Sequence, residues 1–195
     1  VSMRHPLLAV AALAATALAL AGCTPGGDST GQVANPGYVS GDGSTRQWAV
    51  AERGEPVTLT GTDYAGDPVD TSAWLGDVVV VNTWFAACPP CRVEAPDLAA
   101  IAAERADEGV HLLGLNRTDD AGAAQAFEKN FEIPYPSIDD RTGTATAALQ
   151  GVAPIAATPT TLVLDRQGRV AARILGLLER STLDAMIDDV LAEQA

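Results

Sequence analysis

Asn82-Thr83-Trp84-Phe85-Ala86-Ala87-Cys88-Pro89-Pro90-Cys91-Arg92-Val93-Glu94 is the stretch on which the reading of this chain turns. Just before it, Val78 to Val81 is a continuous β-branched run, the pattern of a strand buried on both faces. Just after it, Cys91 to Glu108 reads as a helix, with Val93, Leu98, Ile101 and Ala102 on its apolar side and Gly109 past its end. The cysteines thus occupy a strand-to-helix junction, with Cys88 at the helix N-terminus. Backbone N–H groups and the helix dipole stabilise a thiolate there, and the thiolate is the reactive form. Cys91 falls one turn further on, expected to be more buried and close enough to form a disulfide with Cys88. Pro89 and Pro90 stiffen the loop and remove two N–H groups that could otherwise solvate the sulfur.

Such a pair has other uses, and the sequence weighs against them. After removal of an N-terminal leader containing His5, a structural zinc site would have to be assembled from Cys88, Cys91, His111 and carboxylates, with no second cysteine pair. A purely structural disulfide over four residues would contribute only about 2 kcal/mol, against ~3 for a 15-residue loop, so a stabilising staple would span more chain. In a peroxidase of the peroxiredoxin type the reactive cysteine follows Pro and Thr, whereas Ala86 and Ala87 precede Cys88. No metal and no cofactor are expected.

Upstream, Val57-Thr58-Leu59-Thr60 and Pro68-Val69-Asp70 alternate around Tyr64-Ala65-Gly66-Asp67 and read as a β-hairpin. Downstream, Val110 to Leu115 is a second buried strand, and Ala121 to Phe131 and Thr142 to Leu149 read as helices. Thr160 to Leu164 and Val170 to Leu175 are strands joined by the turn Asp165-Arg166-Gln167-Gly168. The last helix starts like a capping box at Ser181 with Asp184, and its stripe is Leu183, Met186, Ile187, Val190 and Leu191. A βαβ half followed by a ββα half predicts an α/β domain over 47–195, a mixed central sheet with helices on both faces, preceded by an N-terminal β-hairpin.

The N-terminus reads as an address. Arg4 and His5 precede Leu7 to Ala21, fifteen residues broken only by Thr16, too short to span a bilayer comfortably at about 20 residues. Ala19-Leu20-Ala21 fits ordinary secretory cleavage, while Leu20-Ala21-Gly22-Cys23 resembles a bacterial lipobox, whose cysteine is lipidated. Three cysteines, two of them paired, leave Cys23 odd, and lipidation removes a stray thiol from an exported protein. The expected layout is a lipoprotein signal over 1–22, lipidated Cys23 with a flexible tether over 23–46, then the folded domain. Thr24 to Arg46 holds six Gly and two Pro and almost no apolar content. A coil of that length reaches roughly 25 Å.

The formal charge of −13 argues against nucleic acid, whose phosphates require a basic surface. The same balance argues against a polybasic membrane patch, and the acidity is read as solubility.

From Gly54 to Leu98 the order of hairpin, Gly-Asp, Val-rich strand, Asn-x-Trp and Cys-x-Pro-Cys-Arg-x-Glu-x-Pro resembles the TlpA/ResA-like branch of the thioredoxin superfamily, which includes reductases of cytochrome c maturation. The likeness continues through Thr158-Pro159-Thr160-Thr161-Leu162-Val163-Leu164-Asp165 and covers nearly all of 54–195. It implies a thioredoxin-like fold, with Cys88 as attacking cysteine and Cys91 as resolving one. Glu94 takes the branch's acidic position, where a carboxylate relays protons or couples the thiol titrations. The bland alternative for Glu94 is a solvated carboxylate in the first helical turn. Pro96 resembles the kink proline. Pro159 resembles the cis-proline facing the active site, with Thr158, Trp84, Pro89 and Pro90 forming the surface that meets substrate. Asn82 stands where cytoplasmic thioredoxins carry a buried Asp. Ala87, in place of the usual Trp, and Thr83, in place of an apolar residue, depart from the pattern.

The resemblance implies a monomeric, extracytoplasmic thiol–disulfide oxidoreductase held at the cell membrane by lipid on Cys23. Its expected partners are exported thiol or disulfide proteins and a membrane thiol–disulfide electron donor. Reduction of proteins such as apocytochrome c leads, a disulfide-forming oxidase is the alternative, and a thiol chaperone for metal or haem stands third.

Overall fold

In the computed structural model, which describes residues 38–151, 155 and 157–193, every position from Val78 to Thr83 is buried. This strand is central to a seven-stranded sheet. In chain order the elements are β1 (Tyr38–Val39), β2 (Thr45–Gln47), β3 (Thr60–Thr62), β4 (Pro68–Asp70), β5 (Val78–Thr83), α1 (Pro89–Arg105), β6 (Val110–Asn116), α2 (Ala121–Asn130), β7 (Ser137–Asp139), α3 (Thr144–Ala148), β8 (Thr160–Leu164), β9 (Val170–Leu175) and α4 (Arg180–Ala192). The main sheet runs β1-β2-β9-β8-β5-β6-β7, and β3 pairs with β4 separately. β5 is parallel to β6 and antiparallel to β8, while β6 is parallel to β7. The sheet is mixed, as expected.

The period of two along β5 sorts its side chains onto two cores. Val78 and Val80 join Leu98 and Ile101 of α1 and Leu183, Ile187 and Val190 of α4. Val79 and Val81 join Val57, Leu59 and Val69 of the hairpin region and Ala145 and Leu149 at α3. Asn82 continues the first series, so its side chain points under α1.

Several expectations are corrected. Val93 is 64% exposed and the next residue, Glu94, is buried instead. Glu94, Leu98 and Ile101 share one face at i, i+4 and i+7, from which Val93 is turned by roughly 100°, and the polarity of the first turn misled the assignment. The second hairpin strand, Pro68–Asp70, stands where its alternation suggests, but the first is Thr60–Thr62 and not 57–60, because Leu59 N–H turns to the Thr71 hydroxyl at 2.9 Å rather than to a strand partner. The α4 capping box does not form. The helix starts at Arg180 behind Glu179, which makes no side-chain cap, and Asp184 pairs with Arg180. Residues 38–39 and 45–46, expected within the tether, belong to strands β1 and β2, and β2 pairs with β9. Backbone pairing to an open sheet edge requires no apolar content, so composition could not reveal it. β7 was also not foreseen. The signal 1–22, Cys23 and the tether up to residue 37 lie outside the described residues.

Among the described residues, no helix is long and apolar enough to cross a membrane, and no cluster of side chains is suited to a metal ion.

Candidate active site

The site lies at the C-terminal ends of parallel β5 and β6, where crevices of open α/β sheets gather ligands. The chain leaves β5 at Thr83, passes Trp84, and turns so that Cys88 N–H donates to Phe85 C=O at 3.1 Å. Cys88 is then the N-cap of α1, with prolines in its first two positions. Neither proline carries an N–H, so the first free helical N–H is that of Cys91, which donates to Cys88 Sγ at 3.2 Å. The pair is joined as a disulfide with Cα atoms 5.3 Å apart.

Burial does not distinguish the two cysteines, contrary to expectation, since each is only 1% exposed in this oxidised state. Hydrogen bonding distinguishes them, because only the Cys88 sulfur receives the N–H at the helix end. The side chain of Trp84 seats beside the pair against Phe127, ring centroids 4.4 Å apart. Gly114 makes room for it: a Cβ at that position would lie 2.6 Å from Trp84 Nε1 and 2.4 Å from Ser137 Oγ.

Glu94 is not the solvated carboxylate of the bland reading. It is 1% exposed, Oε1 accepts from Asn82 Nδ2 at 2.8 Å, and Oε2 accepts from Leu178 N–H at 3.2 Å. Asn82 Nδ2 also reaches Thr161 Oγ1 at 3.1 Å. Burial pushes the Glu94 carboxyl up to about 7, against the lowering effect of the Asn82 and Leu178 hydrogen bonds. A carboxyl with that value exchanges protons readily at neutral pH. Asn82 and Cys91 share the wall of a cavity of about 10 Å³, at the lower limit for one water molecule.

This elevation predicts a pH dependence of stability. The folded protein holds the Glu94 proton up to about 7, whereas the unfolded chain releases it near 4.5. The contribution to stability is therefore complete below about 4.5 and is lost as pH rises through 7. Glu94→Gln should stabilise the oxidised protein at pH 8 by on the order of 3 kcal/mol before any cost of burying the amide, and by much less at pH 5. Urea unfolding at the two pH values checks this. A difference independent of pH would show that the Glu94 carboxyl is not raised.

The Thr158-Pro159 peptide is cis, as the resemblance implied. Pro159 is buried and Thr158 exposed. Thr83, a departure from the expected pattern, pins the start of β8: its hydroxyl accepts from Thr160 N–H at 2.8 Å and donates to Thr160 C=O at 3.3 Å. A groove of about 260 Å³ beside this seam is lined by Thr83, Trp84, Leu115, Arg117, Thr118 and Thr158. Of the expected substrate-facing residues, Trp84 and Thr158 meet in this groove. Pro89 and Pro90 lie apart from it, on the first turn of α1, Pro89 exposed and Pro90 half-buried.

Sequence reasoning missed Gly114, Asn116, Asp119 and Phe127. The run Asn116-Arg117-Thr118-Asp119-Asp120 directly after a buried strand was the available signal, since strand ends of this kind carry polar site residues.

A thioredoxin-like α/β fold with a dithiol–disulfide pair at a helix N-terminus defines the class to which this chain belongs. The chain is a member of the Redoxin family, whose profile matches residues 49–187. It is 33% identical over 120 residues to the thiol:disulfide interchange protein HelX of Rhodobacter capsulatus, covering 62% of this chain and 64% of that protein. It is 25% identical over 129 residues to the thiol-disulfide oxidoreductase ResA of Bacillus cereus, covering 66% of this chain and 72% of that protein. Among solved structures, a secreted thiol-disulfide isomerase from Corynebacterium glutamicum superimposes with a TM-score of 0.72 at 31% identity, covering 80% of this chain and 97% of that one. These similarities agree with the TlpA/ResA-like branch.

Proposed function

We propose that this protein is an extracytoplasmic thiol–disulfide oxidoreductase that reduces disulfides of exported proteins, apocytochrome c among them. The observation that carries the reading is the Cys88–Cys91 disulfide at the α1 N-terminus, with a buried carboxylate three residues on. In the reduced protein the Cys88 thiolate attacks one sulfur of the substrate disulfide. That S–S bond breaks, and the departing substrate thiolate takes a proton. Cys91 then loses its proton to Glu94 and attacks the Cys88 sulfur, breaking the mixed disulfide, closing the protein disulfide and releasing the second substrate sulfur as a thiolate that takes a proton from solvent. Two electrons pass to substrate, and a membrane dithiol donor restores the pair. Trp84, Thr158 and Pro159 frame the approach, and Pro89 and Pro90 set the loop.

The local chemistry favours reduction. An oxidant of this class requires a strongly stabilised reduced form, yet Pro89 and Pro90 leave the Cys88 sulfur with a single helical N–H donor, and Glu94 adds negative charge nearby when ionised. Retention at the membrane through lipid on Cys23 is supported by the Leu20-Ala21-Gly22-Cys23 sequence.

Equilibration with glutathione or dithiothreitol buffers tests the proposal. A reversible two-electron couple well below about −180 mV is the expected result, whereas a value near −120 mV assigns the protein to disulfide formation. Absence of a reversible couple would refute both directions.

A further inference from the structure

The backbone of Ala86, two residues before Cys88, is held through its two flanking peptide groups by side chains of opposite charge. Its N–H donates to Asp119 Oδ2 at 2.5 Å, and its C=O accepts from Arg92 Nη1 at 3.1 Å. Neither side chain is held by these groups alone. Asp119 Oδ2 also accepts from Asn116 Nδ2 at 2.8 Å, and Asn116 Oδ1 in turn accepts from the backbone N–H groups of Thr118 and Asp119, each at 3.0 Å. Asn116 is fully buried at the end of β6, so this brace is anchored in the sheet. Arg92 lies on the first turn of α1, its guanidinium carbon 5.1 Å from the Phe131 ring centroid and 5.9 Å from that of Phe127.

The loop needs such an anchor. Ala86 and Ala87 have no side chains with which to fix it, and the bulky residue usual before the first cysteine is absent here. Within the loop, the Cys88 N–H to Phe85 C=O bond closes only the turn itself. Without the two side chains, the N–H and C=O of Ala86 would return to solvent, and the turn carrying Cys88 would gain freedom at its outer edge.

We propose that Asp119 and Arg92 form an opposed-charge clamp on the two peptide groups flanking the Ala86 Cα and are positioning residues for Cys88. This rests on the thiol–disulfide reading of the site. The clamp fixes where the attacking sulfur stands relative to the groove, and its two charges act on the Cys88 thiolate in opposite senses. Charged or titratable side chains around this corner include Arg92 and Glu94 from α1, Arg117, Asp119 and Asp120 from the β6–α2 connection, Tyr64 from the β3–β4 turn and Tyr135 before β7. Arg92 and Asp119 are the two that touch the Cys88 loop backbone.

The test uses the full chain in its reduced form, with thiolate absorbance followed against pH and exchange followed with the neutral probe 4,4′-dithiodipyridine. Asp119→Asn keeps an oxygen for the Ala86 N–H but removes the charge. The Cys88 thiolate fraction at neutral pH should rise roughly two- to fivefold, as for one unit charge acting across partly solvated surface. Arg92→Gln should lower it by a similar factor, and the double variant should return near wild type. Asp119→Ala loses the acceptor as well. Exchange per thiolate should then fall about tenfold, the order expected of a displaced reacting group, and Asn at the same position should restore the rate without restoring the titration. Shifts of the same sign for Asp119→Asn and Arg92→Gln, or unchanged titration in both, would overturn the clamp. So would full exchange per thiolate in Asp119→Ala. If Asp119→Ala fails to fold, the opposite signs of the two charge variants decide alone. Failure of wild type to cycle between dithiol and disulfide would instead count against the underlying redox reading.

Discussion

Cys91→Ser should arrest the protein as a covalent adduct with its substrate, and Cys88→Ser should trap almost nothing. Exchange passes through a mixed disulfide on the attacking cysteine, and only the second thiol releases it. In the structure only the Cys88 sulfur holds the N-cap position and receives the Cys91 N–H. Serine at 91 preserves that backbone donor, so the Cys88 thiolate survives with its partner removed. Turnover with protein disulfides should fall by at least about a thousandfold in either variant, as for removal of a nucleophile. Adducts recovered from cell envelopes under non-reducing conditions and identified by mass spectrometry check the prediction and report the substrate. Apocytochromes or their handling proteins support the reductase reading, and a broad set of multiply bridged secreted proteins supports an oxidase. Preferential trapping by Cys88→Ser would reverse the assignment of roles.

The largest effect on stability is expected far from the cysteines, at Asp165. Its carboxylate accepts from Arg53 Nη1 at 2.9 Å, Arg169 Nε at 2.8 Å, and the backbone N–H groups of Gln167 and Arg169 at 3.0 and 2.9 Å. Arg53, whose side chain is fully buried, also pairs with Glu193 just past α4. Burial alone would push the Asp165 carboxyl up, but hydrogen bonds from Arg169 and Arg53 hold it below the usual carboxylate range. Asp165→Ala removes the buried partner of Arg53 and opens the turn between β8 and β9. Breaking a buried pair from one side costs about 3–5 kcal/mol, which lowers the melting temperature by on the order of 10 °C for a domain of this size. Glu193→Ala should cost less, because that carboxylate is 20% exposed and leaves Arg53 paired with Asp165. Calorimetry or urea titration at pH 7 measures the difference. Equal small losses in the two variants would show that the cluster is a dispensable surface network.

Much of the architecture was legible because burial leaves periodic traces. Val78 to Val81, Val110 to Leu115, Thr160 to Leu164 and Val170 to Leu175 are apolar enough to be recognised as strands, and all four are strands in the structure. β1, β2 and β7 were not legible. They are two or three residues long and join the sheet by backbone pairing, which no side-chain pattern encodes. The α4 start failed for a related reason. Ser181 with Asp184 has the right spacing for a cap, but Arg180 holds Asp184 and the N-cap is Glu179, two residues earlier.

The cysteine pair, its placement after a buried strand, and the two prolines that leave a single helical donor were determined by the sequence alone, because each depends on neighbours within a few residues. The state of Glu94 was not. One residue of helical rotation separates a solvated carboxylate from a buried one, and the packing of α1 against the sheet decides which occurs. That packing buries Glu94 over Asn82 and within reach of Leu178 N–H, 84 positions away along the chain, and exposes Val93 in its place. The Ala86 clamp is likewise tertiary, since Asp119 stands 33 positions from the peptide it holds. Local sequence fixes which groups can react, whereas the charge and position of those groups depend on desolvation and on partners that only the folded chain brings together.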